Sequence, residues 1–532
     1  MIKHKVIKKI IIMLIILSVQ GVLLYGFYNN EYLLLNFKIA YLNKIYLPSF
    51  AYSLNKNVSS VKDSYLASAL AIFQEKSDSD VLADNSQNGS SAKSIPVLLY
   101  HGIIDKPDGA NVLLEDFKDQ MFALKKAGWQ TITLEGFSQF IKGEKELPNK
   151  SFLLTFDDGR KDSYYPVDPI LKALDYNAVI FVITKYSLED KSGNYYLSKR
   201  ELERMTGSGR WEIEAHTREG HNIYKISQDG QEGHYYSNKL WIDNESRLET
   251  KEEFTSRITS DFVAAKNDIE QGLGAKVMGF AYPFGDFGQD SANFPESELM
   301  VSDIVKSIYL LSFYQVWPGK GFSFNYPAEN QFLIKRIEVR PYWNSDNLLK
   351  VLNTAKEKNL PYFDDFSDYK GWAKNYGKLS IENNSMIMGS RFSNGSLIFL
   401  DGSYLWEDYF FKSKIKLLKG QTFSLLARYN GDNNYVSCEF TPEFIRIERV
   451  IEGKRELVYE KKDNFVFIGK DREVGIRIKN NTVDCYINGK VVTENYDIKN
   501  IPKHGGIGFR IWDPEINNSE IIIKKVSVEE TN

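Results

Sequence analysis

Asp157 and Asp158 stand side by side in SFLLTFDDGR (residues 151–160), and His216 and His221 lie five residues apart in HTREGH. Two imidazoles with one carboxylate are a common ligand set for catalytic zinc and leave one coordination position for water. The metal acidifies that water and polarises a carbonyl oxygen, while a second carboxylate, off the metal, takes the proton. Adjacent aspartates can divide these roles, one on the metal and one beside it. Taken singly, Asp-Asp-Gly is an ordinary turn and the histidines are surface residues of a loop. Together in one α/β region, they point to hydrolysis at a metal centre.

Such chemistry needs strand ends to hold the side chains. Residues 152–156 form a near-continuous apolar run, which reads as a strand buried on both faces. The aspartates follow where that strand gives way to a loop, the place where parallel α/β folds put their chemistry. On one helix a five-residue offset separates two side chains by roughly 140°, and on one strand it puts them on opposite faces. The histidines therefore converge only if His216 ends a strand and His221 lies past a turn, which Gly220 permits. In WEIEAH, Trp211, Ile213 and Ala215 share one face, and Glu212, Glu214 and His216 the other.

The surrounding pattern alternates strand and helix. Strands are predicted over residues 95–100, 129–134, 152–156, 178–184, 211–216, 277–282, 308–316 and 334–339. Helices are predicted over 115–126, 137–142, 169–174, 198–205, 252–273 and 346–358. This implies a parallel sheet, open or closed into a barrel. Residues 227–248, rich in Tyr, Asn and Gly, break the rhythm and read as a surface insertion.

FDDG, then His-Thr…His, then FAYPFG (residues 280–285) resemble, in order, the motifs of the polysaccharide deacetylases of the NodB-homology type, carbohydrate esterase family 4. The five-residue histidine spacing and the opening VLLYHGI look like the branch acting on poly-N-acetylglucosamine. The resemblance covers about residues 95–350 and implies an α/β fold, a distorted (β/α) barrel. It also implies Asp157 as general base and Asp158, His216 and His221 as ligands of a divalent metal, Zn²⁺ above others. Tyr282, Pro283 and Phe284 match the groove-lining motif, in which a backbone N–H, here that of Phe284, helps hold the oxyanion. The implied reaction is hydrolysis of an N-acetyl amide to acetate and a free amine.

The chain departs from this family in two places. Ala281 stands where an arginine often orients the base, so Arg336 or Arg340 is the candidate substitute. IKRIEVRP lacks the histidine that usually serves as general acid. His101 ends the first strand and is expected to line the pocket, and Trp317 to form a groove wall or fill the core.

With 532 residues, two to four domains are expected, and 43% hydrophobic with 26% charged residues is ordinary for a folded protein. A net charge of -3 gives no reason to expect nucleic acid as a partner. Basic residues from Lys3 to Lys9 precede an uncharged run over residues 10–28, long enough for one transmembrane helix with the rest of the chain outside the cytoplasm. A cleaved signal peptide competes, but the run is long for one and no A-x-A-like site follows. Residues 1–29 are therefore read as basic tip and anchor, 30–94 as stalk and flexible linker, 95–358 as the barrel and 359–532 as a further domain.

In that last region, short alternating segments separated by turn signals such as Asn488-Gly489 read as an antiparallel sandwich. DDFSDYKGW, CYINGKVV and GGIGFRIW resemble concanavalin-like jelly-roll domains, which implies an all-β jelly-roll sandwich and glycan binding. Trp372, Trp406, Tyr404 and Trp512 are candidate platforms for glycan, or else core residues. Cys438 and Cys485, the two cysteines, form no zinc motif and either pair or fill the core. The expectation is a membrane-anchored, extracytoplasmic, metal-dependent N-deacetylase of an N-acetylated polysaccharide. The rivals are a surface glycan-binding protein with a catalytically weak barrel and a peptidoglycan deacetylase.

Overall fold

The structure, a computed structural model, describes residues 91–189, 195–289, 291–316, 324–328, 330–462 and 468–531. The expected anchor, most of the stalk and Trp317 lie outside the described residues. Among the described residues no helix is long and apolar enough to cross a membrane.

Seven strands build the first domain: β1 (Val97–Tyr100), β2 (Ser151–Phe156), β3 (Ala178–Ile183), β4 (Trp211–Thr217), β5 (Gly279–Ala281), β6 (Leu311–Gln315) and β7 (Ile334–Glu338). Each pairs in parallel with the next, and β1 pairs with both β2 and β7, so the sheet closes into a barrel. Because side chains alternate across a strand, both faces must be apolar. Phe152, Leu154 and Phe156 pack outward with Ile180, Val182, Trp211 and Ile213. Leu153, Val179, Phe181, Leu311 and Phe313 form a second, inner cluster.

The helices are α1 (Leu114–Lys126), α2 (Leu134–Ile141), α3 (Asp168–Leu174), α4 (Lys199–Gly207), α5 (Lys251–Leu273), α6 (Ser297–Ile308) and α7 (Ser345–Ala355). On α5, Phe254, Ile258, Phe262, Ala265 and Ile269 form the buried stripe. Thr250 and Glu253 make a capping box at its start, and Gly274 at φ +67° ends it. In contrast, α2 sends Leu134, Phe137 and Phe140 into the inner cluster.

Four expectations are corrected. The strand over 129–134 shrinks to Gln130–Thr131, because the Thr133 side chain caps α2 by accepting from Gly136 N. The strand over 308–316 begins only at Leu311, because α6 runs to Ile308. The insertion is more than surface: Tyr235, Tyr236, Ser237 and Asn238 are buried, with Tyr236 stacked on Phe262 of α5. The end of the expected linker is packed too, Ala92 N donating to Leu147 O at 2.8 Å and Ser94 Oγ to Glu357.

The second domain is a two-sheet antiparallel β-sandwich. One sheet runs Lys378–Glu382, Ser385–Gly389, Glu520–Glu530, Tyr409–Lys419, Asp471–Lys479, Thr482–Ile487, Lys490–Asp497, with Tyr362–Asp364 alongside Glu520–Glu530. The other runs Trp372–Tyr376, Gly395–Leu400, Gly506–Trp512, Thr422–Tyr429, Tyr435–Phe440, Phe444–Ile451, Lys454–Lys462. Asn488 and Gly489, at φ +48° and +74°, make the expected two-residue hairpin turn. Cys438 and Cys485 form a disulfide that ties one sheet to the other across 47 residues of sequence.

Of the candidate platforms, Trp372 is fully buried and donates Nε1–H to Asp364, and Trp406 is buried and donates to Lys358 O. Tyr404 stacks on Tyr326 of the first domain. Only Trp512 keeps a substantial open surface, at 39%.

Candidate active site

At the end of β2 the backbone makes an abrupt turn. Asp157 N still donates to Tyr100 O of β1 at 3.1 Å, but Asp158 and Gly159 both take left-handed φ, +71° and +70°. Asp is among the few residues besides Gly that tolerate this conformation. At position 159 a Cβ would meet Val182 and Ser187 at 3.0–3.1 Å, so glycine is favoured by space as well as by φ. The turn aims the two carboxylates differently. Asp157, buried, is gripped by Arg336 of β7, whose Nη1 and Nη2 donate to Oδ1 and Oδ2 at 2.6 and 2.7 Å. Arg336 is itself fully buried, with Phe181 against its guanidinium. Asp158 turns its Oδ1 towards the two imidazoles, 3.3 Å from His221 Nε2 and 3.6 Å from His216 Nε2.

The histidine loop is held from outside the barrel. His216 Nδ1 lies 2.8 Å from Ala281 O, so the N–H sits on Nδ1 and Nε2 presents its lone pair to the cluster. Past β4, buried Asp261 of α5 accepts from Thr217 Oγ1 (2.6 Å), Arg218 N (3.0 Å), Glu219 N (2.9 Å) and the Tyr236 hydroxyl. One carboxylate thus fixes the bend that carries His221 back beside His216, with ring centroids 5.0 Å apart.

Asp158, His216 and His221 offer ligand atoms that all lie within 4.8 Å of one another. Asp158 Oδ1 is buried and accepts no hydrogen bond. A buried carboxylate oxygen without a partner is costly, and a cation among these three atoms would satisfy it. The donor set therefore fits a divalent metal. Burial holds the His216 pKa down at about 4 despite Asp157 and Asp158 nearby, so the ring is neutral and able to ligate. For Asp157, burial acts upwards, but the Arg336 charge, then His216, Arg336's hydrogen bonds and His101 outweigh it and bring the pKa to about 2. Asp157 is thus ionised at neutral pH, with Oδ2 3.9 Å from His216 Nε2.

The other predicted residues fall out unevenly. Arg336, not Arg340, meets the base: Arg340 Nη1 pairs with Glu338, so its expected role is corrected. Tyr282 does not line an open groove, because its ring is buried against Phe280 and Phe287, and Pro283 is buried too. Phe284 does reach the site, at φ +60°, with its ring 4.6 Å from that of His221. His101 follows β1 at the same barrel end and is partly exposed.

Two residues escaped sequence reasoning. His234, from the insertion, stacks on Phe284 at 4.5 Å and 9°, and its Nδ1 lies 2.6 Å from buried Asp286 Oδ2. The scarcity of histidine, 6 in the chain, was the available signal for His234. Asp261 gave none, because it reads as one more polar residue of an amphipathic helix.

Comparison with known proteins finds similarity over part of the chain. Residues 144–296 match the sequence model of the polysaccharide deacetylase family and form a polysaccharide deacetylase domain. A poly-β-1,6-N-acetyl-D-glucosamine N-deacetylase of Escherichia coli K12 is 26% identical over 180 residues, 32% of this chain and 27% of that protein. The protein of the same name from Staphylococcus aureus MRSA252 is 29% identical over 181 residues, 34% of this chain and 56% of that protein. The chain thus spans from about a quarter to just over half the length of these relatives. A solved de-N-acetylase of Aggregatibacter actinomycetemcomitans aligns at 19% identity and TM-score 0.41, over 48% of this chain and 99% of that one.

Proposed function

We propose that the polysaccharide deacetylase domain at residues 144–296 serves a metal-dependent N-deacetylase acting on an N-acetylglucosamine-containing cell-surface polysaccharide. The observation that carries this reading is the pairing of a three-ligand cluster with a separate carboxylate that a buried arginine holds ionised. Asp158, His216 and His221 would hold the cation, most simply Zn²⁺, which when bound supplies a Lewis acid for the acetyl carbonyl and lowers the pKa of water.

The chain's own residues do the rest. Asp157 takes the proton of the attacking water; Arg336 occupies one lone pair on each carboxylate oxygen and leaves the others open. The Pro283–Gly285 turn, left-handed at Phe284 and Gly285, would offer the Phe284 backbone N–H to the oxyanion, a preorganised donor of the kind that contributes most in acyl transfer. His101, which follows β1 and is partly exposed, is the candidate to pass a proton to the departing amine. The names of the relatives support a β-1,6-linked N-acetylglucosamine polymer as the first substrate to assay. Residues 1–29 anchor the chain with both domains outside the cytoplasm, and the Cys438–Cys485 disulfide supports that placement.

The test is acetate release from N-acetylglucosamine oligomers by the zinc-loaded chain. Asp157→Asn is expected to lower the rate by about 10²–10⁴-fold while zinc stays bound, whereas His216→Ala loses zinc as well. No acetate from the unaltered chain, or full activity in Asp157→Asn, would contradict the reading.

A further inference from the structure

Tyr195, Tyr196 and Leu197 lie antiparallel to the chain just past Asp158. Lys161 N donates to Tyr195 O at 2.9 Å, Leu197 N donates to Gly159 O at 2.8 Å, and Arg160 bridges antiparallel to Tyr196. The Tyr196 backbone is therefore one strand spacing, about 5 Å, from the residue two positions past Asp158. Tyr186 stacks on Tyr196 with ring centroids 4.8 Å apart at 22°. Its hydroxyl accepts from the side chain of Asn222, next to His221, at 3.1 Å. Tyr186 thus spans from the aspartate side of the cluster to the histidine side.

Tyr195 is the most open of the three, at 49%, yet it is not loose. Its ring lies over the Arg160 guanidinium at 4.9 Å and stands edge-on to Tyr196 at 4.8 Å. Arg160 is immobilised from below: Nε and Nη2 donate to Asp162 at 2.9 and 2.6 Å, and Nη1 to Asn111 at 3.0 Å. A Cβ on Gly102 would fall 2.2 Å from Arg160 Nη2, so that glycine is what admits the guanidinium. Three hydrogen bonds thus fix the buried cation beneath an exposed ring. The arrangement provides a flat apolar face that is ordered before anything binds.

We infer that Tyr186, Tyr195 and Tyr196 form a sugar-binding subsite beside the metal turn, taking a pyranose next to the one whose acetamide is at the metal. The C–H face of a pyranose is apolar and its rim is hydroxylated, which suits stacked phenol rings with polar tips. Proximity to the cluster argues for this occupant, since Tyr196 bridges to Arg160, two residues past Asp158. The inference rests on the function proposed above and adds that the site reads a chain of sugars, not a single one.

The test is calorimetric binding of N-acetylglucosamine oligomers, from monomer to hexamer, to the zinc-loaded full chain carrying Asp157→Asn. Affinity should rise with length, and Tyr195→Ala and Tyr196→Ala should each forfeit roughly three- to tenfold of that rise. Tyr196→Trp should keep it, and zinc affinity should match the parent in every variant. Retention of the full rise in the alanine variants overturns the subsite alone, as does an equal loss at all lengths including monomer. Zinc uptake with no oligomer binding by the parent overturns both the subsite and the functional reading.

Discussion

Asp364 of the sandwich accepts hydrogen bonds from the Tyr362 hydroxyl (2.9 Å), Trp372 Nε1 (2.8 Å) and Phe366 N (2.8 Å). Asp158, at the mouth of the barrel, has a buried oxygen that accepts none and faces two imidazole nitrogens instead. Both are aspartates near the end of a strand. The difference is what surrounds them: in the sandwich, polar groups close the fold on itself, and Asp364 locks a tryptophan into the core. In the barrel, polar capacity is left over and aimed at one point. That arrangement survives because other residues, Asp261 and Arg336 above all, spend their own hydrogen bonds holding the pieces in place.

The contrast can be broken most severely at Arg336. Arg336→Met strands a buried carboxylate and is expected to cost about 3–5 kcal/mol of stability, read by denaturant unfolding. With burial then the dominant influence, the Asp157 pKa rises, and the acid limb of activity should move to higher pH. An unchanged pH profile would remove Arg336 from its role. On the sandwich side, replacing Cys438 and Cys485 together by alanine should cost about 4 kcal/mol for a loop of this length, with zinc uptake unaltered. Lost zinc in that variant would mean that the two regions are not built independently.

Acidification should distinguish them further. Burial depresses the His216 pKa from 6.5 to about 4, so between those values the unfolded chain binds a proton that the folded chain does not. In zinc-free protein this contribution is fully present above the unfolded value and lost as pH falls towards 4, by roughly 1.4 kcal/mol per unit. His216→Gln should flatten that slope in thermal unfolding. The smallest effect is expected at Asp261. Asp261→Asn keeps an acceptor but loses part of the cradle, and zinc affinity should fall roughly 10–100-fold, the range seen when a group orienting a ligand is altered.

Much of the site was legible because its residues sit at strand ends that the apolar pattern marks. Asp157, Asp158 and His216 follow such runs, and Gly220 signalled the bend to His221. Arg336 and Arg340 are equivalent in IKRIEVRP, because an offset of four puts both on one face of a continuous strand. The strand stops at Glu338, so Arg336 points into the interior while Arg340 lies past the strand end and pairs with Glu338. Helix α6 leaves little trace in the sequence because no side chain caps its start and exposed Leu299 blurs a stripe that rests on Val301 and Val305. For Tyr282 a motif fixes order along the chain, whereas packing against Phe280 decides which way the ring points. His234 and the tyrosine subsite lie on segments without periodicity, where only tertiary pairing reveals what they face.

Crystals of the full chain soaked in zinc and measured for anomalous scattering at the zinc edge test the central claim most directly. A single strong peak is expected about 2.0–2.2 Å from Asp158, His216 Nε2 and His221 Nε2, with Asp157 outside the coordination sphere and still clasped by Arg336. No peak at these three residues, or one that recruits Asp157 as a ligand in place of Asp158, would contradict the account.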